Sequence, residues 1–265
     1  MLRSLSILNP LIALLCGIRV AHADLVATPL RQPGSSLDIS LGNEADRAVR
    51  QASRWLRLHQ NPDGSWGATP RVALTALALT ALAGSAHPDD QDARSRAALW
   101  LGQSATHHVS ALDVHAWRML ALTLSLPDTP ERGTYLQDMA RRAPSPDGAS
   151  ADDRRFWQEV LAQAGLGPPS VPDTESTGLV ARAAAIWPPP LNRTRAAWRL
   201  ARLINRTAGG RLMQGETVLD WRSHLATWLI STQKSAPEGG CFWSAATDDA
   251  RIAETAYGIL CLLEL

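Results

Sequence analysis

Two pairs of adjacent carboxylates are the residues best placed to do chemistry in this sequence. Ser150-Ala151-Asp152-Asp153-Arg154 and Thr247-Asp248-Asp249-Ala250 each set two acids side by side at the expected start of a helix. A carboxyl that protonates a substrate needs a dry cavity and a neighbour that stabilises its conjugate base. A carboxylate beside Arg154 instead tends to stay ionised. The simpler role for both pairs is to cap a helix and complement its dipole. Asp152 and Asp248 are also the one pair that could act as opposed carboxylates of a glycosidase across a shared mouth. Asp89-Asp90-Gln91-Asp92 begins a helix too and reads as a cap. Cys241 sits in a glycine turn, with Glu254 on the helix that follows. His107, His108 and His115 form the densest histidine cluster. Adjacent histidines point apart on a regular backbone, and no short His–His helical pair exists, so no metal is expected. No motif calls for a cofactor.

The elements that must position these residues are helical hairpins. In the first, Ala45, Val49, Ala52, Trp55 and Leu56 share one face of a helix whose other face carries Asp46, Arg47, Arg50, Arg54 and Arg57. Asn61-Pro62-Asp63-Gly64 stops that helix. A second helix starts after Pro70 and is apolar all round from Val72 to Leu82, so it is expected to be buried on every side. The plan returns between Val218 and Leu263, with Trp228-Leu229-x-x-x-Gln233 echoing Trp55-Leu56-x-x-x-Gln60 and Thr255-Ala256-Tyr257 echoing Thr75-Ala76-Leu77. A pattern spaced this way at both ends argues for a helical-repeat array.

Five hairpins fit the chain: residues 44–84; 89–103 with 110–126; 130–165, turning at 144–148; 172–186 with 191–207; and 216–265. No stretch reads convincingly as a strand. The fold class is all-α, with amphipathic outer helices around apolar inner ones. If the helices alternate in this way, the outer-to-inner turns gather at one end with the inner-helix N-termini. Those turns carry Trp66, His107, His108, Asp147, Trp187 and Trp243, which makes them the expected ligand rim, suited to a polar or anionic group.

Residues 1–23 read as a secretory signal: Arg3, an apolar run from Leu5 to Ile18, and Ala21-His22-Ala23 as a small-x-small cleavage site. The run is too short, and too interrupted by Asn9-Pro10, to stay in a bilayer. Residues 24–43 read as a polar lead-in arm and 44–265 as the folded domain. Losing the signal removes Arg3 and Arg19 and takes the formal charge from +1 to −1. That balance gives no electrostatic case for nucleic acid. The mature chain is expected in the periplasm or outside the cell, with no transmembrane segment. Export permits a disulfide, but Cys241 and Cys261 are separated by roughly 20 Å along the last helix, so both are expected as free thiols.

Gln60-Asn-Pro-Asp-Gly64-Ser-Trp66-Gly, preceded by Trp55-Leu56, resembles the Gln–Trp repeat of the terpene cyclase and protein prenyltransferase superfamily, which includes the squalene–hopene cyclases. Gln233 with Gly239-Gly240-Cys241-Phe242-Trp243 is a looser copy. The resemblance covers about a third of the chain and implies an α/α toroid in which Trp55, Gln60, Gly64, Trp66 and Gln233 are structural ties. Hopene-cyclase relatives protonate their substrate with Asp-x-Asp-Asp-Thr. Here Asp152 and Asp153 match its last two aspartates, while Ser150 and Arg154 replace the first aspartate and the threonine. Prenyltransferases hold zinc with Asp, Cys and His. Cys241 stands in a comparable turn, but Glu254 occupies the place of the histidine and Gly239 that of the aspartate. The related thioester domains need Gly-Cys-Gly-Glu-Gln, which Gly240-Cys241-Phe242-Trp243 lacks.

Three functions follow. The first is an exported, non-catalytic toroid that binds or scaffolds an unknown small molecule or protein. The second is an isoprenoid cyclase or transferase with Asp152 as its acid. The third is a secreted carbohydrate-active enzyme with tryptophans on the rim. The incomplete acid motif and the export signal favour the first.

Overall fold

The computed structural model describes residues 37–103, 111–168, 174–185, 187–188, 193–207 and 210–265. The described residues are mostly helical: α1 (Ile39–Leu58), α2 (Arg71–Ser85), α3 (Gln91–Gln103), α4 (Leu112–Ser125), α5 (Pro130–Arg141), α6 (Ala151–Gln163), α7 (Thr174–Ala185), α8 (Thr194–Thr207), α9 (Trp221–Thr232) and α10 (Asp248–Leu263). They group into two compact units, one of residues 60–168 and the other of residues 37–59 with 174–265. The expected His107 and His108 turn lies outside the described residues, as do residues 1–23.

In the first unit α4 is the hub and packs on α2, α3, α5 and α6. The expectation of an apolar helix buried on every side holds for α2, where every residue from Leu74 to Gly84 is buried. It holds for α4 too, buried from His115 to Thr123. An isolated 15-residue helix is marginal in water, so α2 is held by burial rather than by propensity. The flanking helices are amphipathic: α3 buries Ala93, Ala97, Ala98, Leu101 and Gly102. Small residues there let the helix come close to its neighbours. The alternation fades in α6, which buries only Trp157 and Val160.

In the second unit α10 is the hub and packs on α1, α8 and α9. It is buried at Ile252 and from Thr255 to Leu262. The first of the described helices therefore belongs with the last hairpin. The apolar face of α1 read from the sequence is buried at Ala45, Val49, Ala52, Trp55 and Leu56. His59 ends the helix, two residues before Asn61-Pro62, by donating its N–H to the carbonyls of Trp55 and Leu56.

Two expectations need correcting. Residues 39–43, assigned to the lead-in arm, are helical, because the Asp38 carboxylate accepts the Leu41 N–H and starts α1 early. Short strands are present as well: β1 (Leu212–Gln214) with β2 (Thr217–Leu219), and β3 (Gln233–Ser235) with β4 (Cys241–Trp243), each an antiparallel ribbon. Three-residue strands carry too little pattern to be read from sequence.

Candidate functional site

The two Gln–Trp turns are built alike. In the first, the Gln60 side-chain amide donates to the carbonyls of Gly64 and of Ala93 in α3, both at 2.9 Å. Asn61 closes the turn by donating its backbone N–H to the Ser65 carbonyl at 2.9 Å and its side-chain amide to Ser65 Oγ at 3.0 Å and to the Gly67 carbonyl at 3.1 Å. Asp63 accepts from Ser65 N and Oγ, and from Arg71 at 2.7 Å. Partial burial pushes the Asp63 carboxyl up, but the Ser65 hydrogen bonds and the Arg71 charge outweigh it, and its pKa lies below the ordinary value. Trp66 is fully buried, and its backbone N–H donates to Thr75 Oγ1 at 2.9 Å.

In the second turn, the Gln233 amide donates to the Ala48 carbonyl of α1 at 3.0 Å. The Trp243 N–H donates to Thr255 Oγ1 at 3.3 Å, and its indole Nε1 donates to the Leu229 carbonyl at 3.0 Å. Glycine is required in both turns for the same reason. Gly64 has φ +91°, and a Cβ there would meet the Arg96 carbonyl oxygen at 2.7 Å. Gly240 has φ +81°, and a Cβ there would meet the Gln51 carbonyl oxygen and the Trp55 nitrogen at 2.8 Å. Each turn therefore grips a helix from another hairpin at two carbonyls three residues apart: Ala93 and Arg96, or Ala48 and Gln51. This gives Trp55, Gln60, Gly64, Trp66 and Gln233 packing and hydrogen-bonding roles within their own units.

The rim is different from the expected one. Trp66 and Trp243 are buried at 0% and 3% exposure, so neither ring can stack on a ligand from solvent. Trp187 alone is half-buried, with its ring edge-on to His224 at 5.3 Å. Asp147 is exposed and accepts from Ser145 Oγ.

The candidate acids all stand in first turns of helices. Ser150 caps α6, with its Oγ accepting the Asp153 N–H at 3.1 Å and donating to the Asp153 carboxylate at 2.7 Å. The Asp152 side chain is 56% exposed and faces Arg155 at 3.4 Å. Arg154 turns away and donates to the Ala149 carbonyl. Thr247 caps α10, Asp249 follows in the first turn, and the 81% exposed Asp248 pairs with Arg251 at 2.8 Å. Exposed, arginine-paired carboxylates lack the dry surroundings an alkene-protonating acid requires, which corrects the reading of Asp152 as such an acid. Asp152 and Asp248 belong to different units. The third acidic run divides: Asp90 is buried and accepts from Ser85 Oγ at 2.9 Å, while Asp92 pairs with Arg96 at the surface.

Glu254, weighed as a stand-in for a metal ligand, serves the neighbouring helix instead. Its carboxylate accepts from Thr194 N at 2.8 Å and Thr194 Oγ1 at 2.7 Å, capping α8 from α10. Cys241 and Cys261 are free thiols. Burial, with Glu264 nearby, pushes the Cys261 pKa well above its ordinary value. His115 is buried, 3.0 Å from the Met139 carbonyl through Nε2 and edge-on to Trp157. Among the described residues no group of three His, Cys, Asp or Glu is placed to hold a metal ion, and no helix is long and apolar enough to cross a membrane.

Sequence reasoning missed His59 and Arg118. His59 stacks on Trp55 at 3.9 Å, with Nδ1 2.9 Å from the Trp55 carbonyl and Nε2 3.3 Å from Glu238. Arg118 is buried and donates to the Leu101 carbonyl at 2.7 Å, closing the end of α3. An arginine amid the apolar positions of α4 was the signal for the second. Neither a protein-family model nor a curated protein matches the chain.

Proposed function

We propose that this chain is an exported, non-catalytic binding or scaffold module, built as an α/α toroid of Gln–Trp repeats. The observation that carries the reading is the equivalence of the two turns. Gln60 and Gly64 grip α3, the next amphipathic helix after their turn; Gln233 and Gly240 grip α1, the first of the described helices. In each copy a glutamine amide and a glycine hold an amphipathic helix of another hairpin, as a repeat array requires. The non-catalytic half of the reading is supported by the exposure and arginine pairing of Asp152 and Asp248.

The test offers squalene and polyprenyl diphosphates to the purified chain and to its Asp152→Asn variant, with product analysis. No turnover by either protein is expected. Turnover that Asp152→Asn abolishes would make this an isoprenoid enzyme. Export is checked separately by N-terminal sequencing of protein recovered from the periplasm or medium, which should begin at Asp24.

A further inference from the structure

Charge is distributed very unevenly along the chain. Residues 176–215 contain seven arginines and no Asp, Glu or Lys, a net +7. The whole chain is formally +1, so the remaining residues carry −6. The core of this segment is α8, whose buried face is Thr194, Ala197, Trp198, Ala201 and Ile204. Arg193, Arg195 and Arg199 are exposed at its N-terminal end, and Arg211 is exposed beyond its C-terminal end. Arg195 and Arg199 are one turn apart and share a face. Arg195 also lies 5.7 Å over the Tyr257 ring, which restricts its head group.

Of two acids of α10 and its end, Glu254 sits on Thr194, between Arg193 and Arg195 in sequence, and takes one charge from the three arginines at that end. Glu264 lies at the other end of α8, where its charge acts on Arg202 and Arg206. The same segment leads into the β1–β2 ribbon, where Met213 and Val218 are directly paired and are 43% and 64% exposed. Directly paired residues share a face of a ribbon, so two apolar side chains stand side by side in water. Glu216 lies in the turn between the strands, so any positive field comes from the arginines.

We propose that the exposed arginine face of α8, together with the Met213–Val218 tip, is a docking surface for an anionic phospholipid bilayer. The arginines supply attraction to headgroup phosphates, and the apolar pair enters the interfacial layer. A nucleic acid shares the first chemistry and gains nothing from the second. Such a surface would serve a toroid or any other fold, catalytic or not.

The test is co-sedimentation of the full chain with vesicles of phosphatidylcholine alone and of phosphatidylcholine mixed with phosphatidylglycerol. Neutral vesicles also control for apolar binding by residues 1–23. Binding should require phosphatidylglycerol and weaken as salt rises. The triple variant Arg193→Ser, Arg195→Ser, Arg199→Ser should bind about a hundredfold less, at about fivefold per arginine. The double variant Met213→Ser, Val218→Ser should bind severalfold less. Removing as many arginines from the outer face of α1, by Arg47→Ser, Arg50→Ser and Arg54→Ser, should change binding less than twofold.

Equal binding to neutral vesicles overturns the proposal, as does a triple variant that binds within twofold of the parent. So does duplex DNA or heparin binding more tightly than the charged vesicles at the same salt through the same three arginines. If the triple variant does not fold by circular dichroism, the salt series on the parent and the Met213–Val218 variant decide. Salt-independent binding, or binding indifferent to the apolar pair, overturns it equally.

Discussion

Three glycines separate the cost of backbone strain from the cost of a lost close approach. Gly64, Gly148 and Gly240 share a left-handed conformation, with φ +91°, +84° and +81°. An alanine in that region costs about 1–2 kcal/mol wherever it stands. At Gly148 nothing lies within 4 Å of the place a methyl group would take, so strain is the whole cost. At Gly64 the methyl meets the Arg96 carbonyl oxygen at 2.7 Å, and at Gly240 it meets Gln51 O and Trp55 N at 2.8 Å. Those atoms are helix backbone and cannot swing aside as a side chain would. Forced separation adds about 1–3 kcal/mol. Gly64→Ala and Gly240→Ala should therefore each cost about 2–5 kcal/mol, against about 1–2 for Gly148→Ala. At about 2–4 °C per kcal/mol for a chain of this size, melting should fall by roughly 4–20 °C and 2–8 °C respectively. Hydrogen exchange gives the local readout: Gly240→Ala should expose amides of α1 and of residues 233–243, and Gly64→Ala those of α3. If either variant costs no more than Gly148→Ala, the turns do not grip those helices, and the repeat reading fails with them.

Other outcomes follow from single sites. His115 is depressed below its ordinary 6.5, chiefly by burial and further by Arg118, against the opposing Met139 carbonyl. The unfolded chain then takes up that proton first, so stability should fall as pH drops below about 6.5. His115→Gln should flatten the dependence of urea midpoint on pH across that range; an unchanged slope would show that His115 is not the group responsible. A thiol reagent at mildly alkaline pH should modify half-buried Cys241 and spare Cys261 until the chain unfolds, since burial raises the Cys261 pKa. Equal rates in the folded protein would refute that placement. Asp152→Asn and Asp248→Asn should each cost less than about 1 kcal/mol, the usual scale of exposed pairs and dipole contacts. A several-fold larger loss in chemical denaturation would reveal a tighter structural role than a first-turn carboxylate has.

What could be read in advance was set by periodicity. The apolar runs of α2 and α10 left no wet face, so their burial followed from composition alone. The turn after Trp55 was legible because Gln60, Asn61, Asp63 and Gly64 each have a distinct local job, and each does it. The copy around Gln233 was harder to recognise. Seven residues separate Gln233 from Gly240, against four from Gln60 to Gly64, and the extra chain forms the β3–β4 ribbon. Tryptophans were misjudged as a rim because a turn residue is ordinarily near solvent. Trp243 instead lies flat on α10, where Gly258 leaves room: a Cβ there would come within 2.5 Å of the indole. Long-range partners such as Glu254 with Thr194 leave no local trace, since neither residue's neighbours in sequence announce the other.

Because α1 is completed by the far end of the chain, its closing contacts have very high contact order. The hydrogen bond from Gln233 to Ala48 spans 185 residues. Such pairing incurs its loop-closure entropy before any reward, which slows folding. During synthesis the apolar stripe of α1 emerges early, yet its partners do not exist until residues 221–262 have been made. An early hydrophobic segment that has nothing to dock on is a natural binding stretch for a chaperone. It also keeps the second unit from locking shut while the chain is still being threaded out of the ribosome.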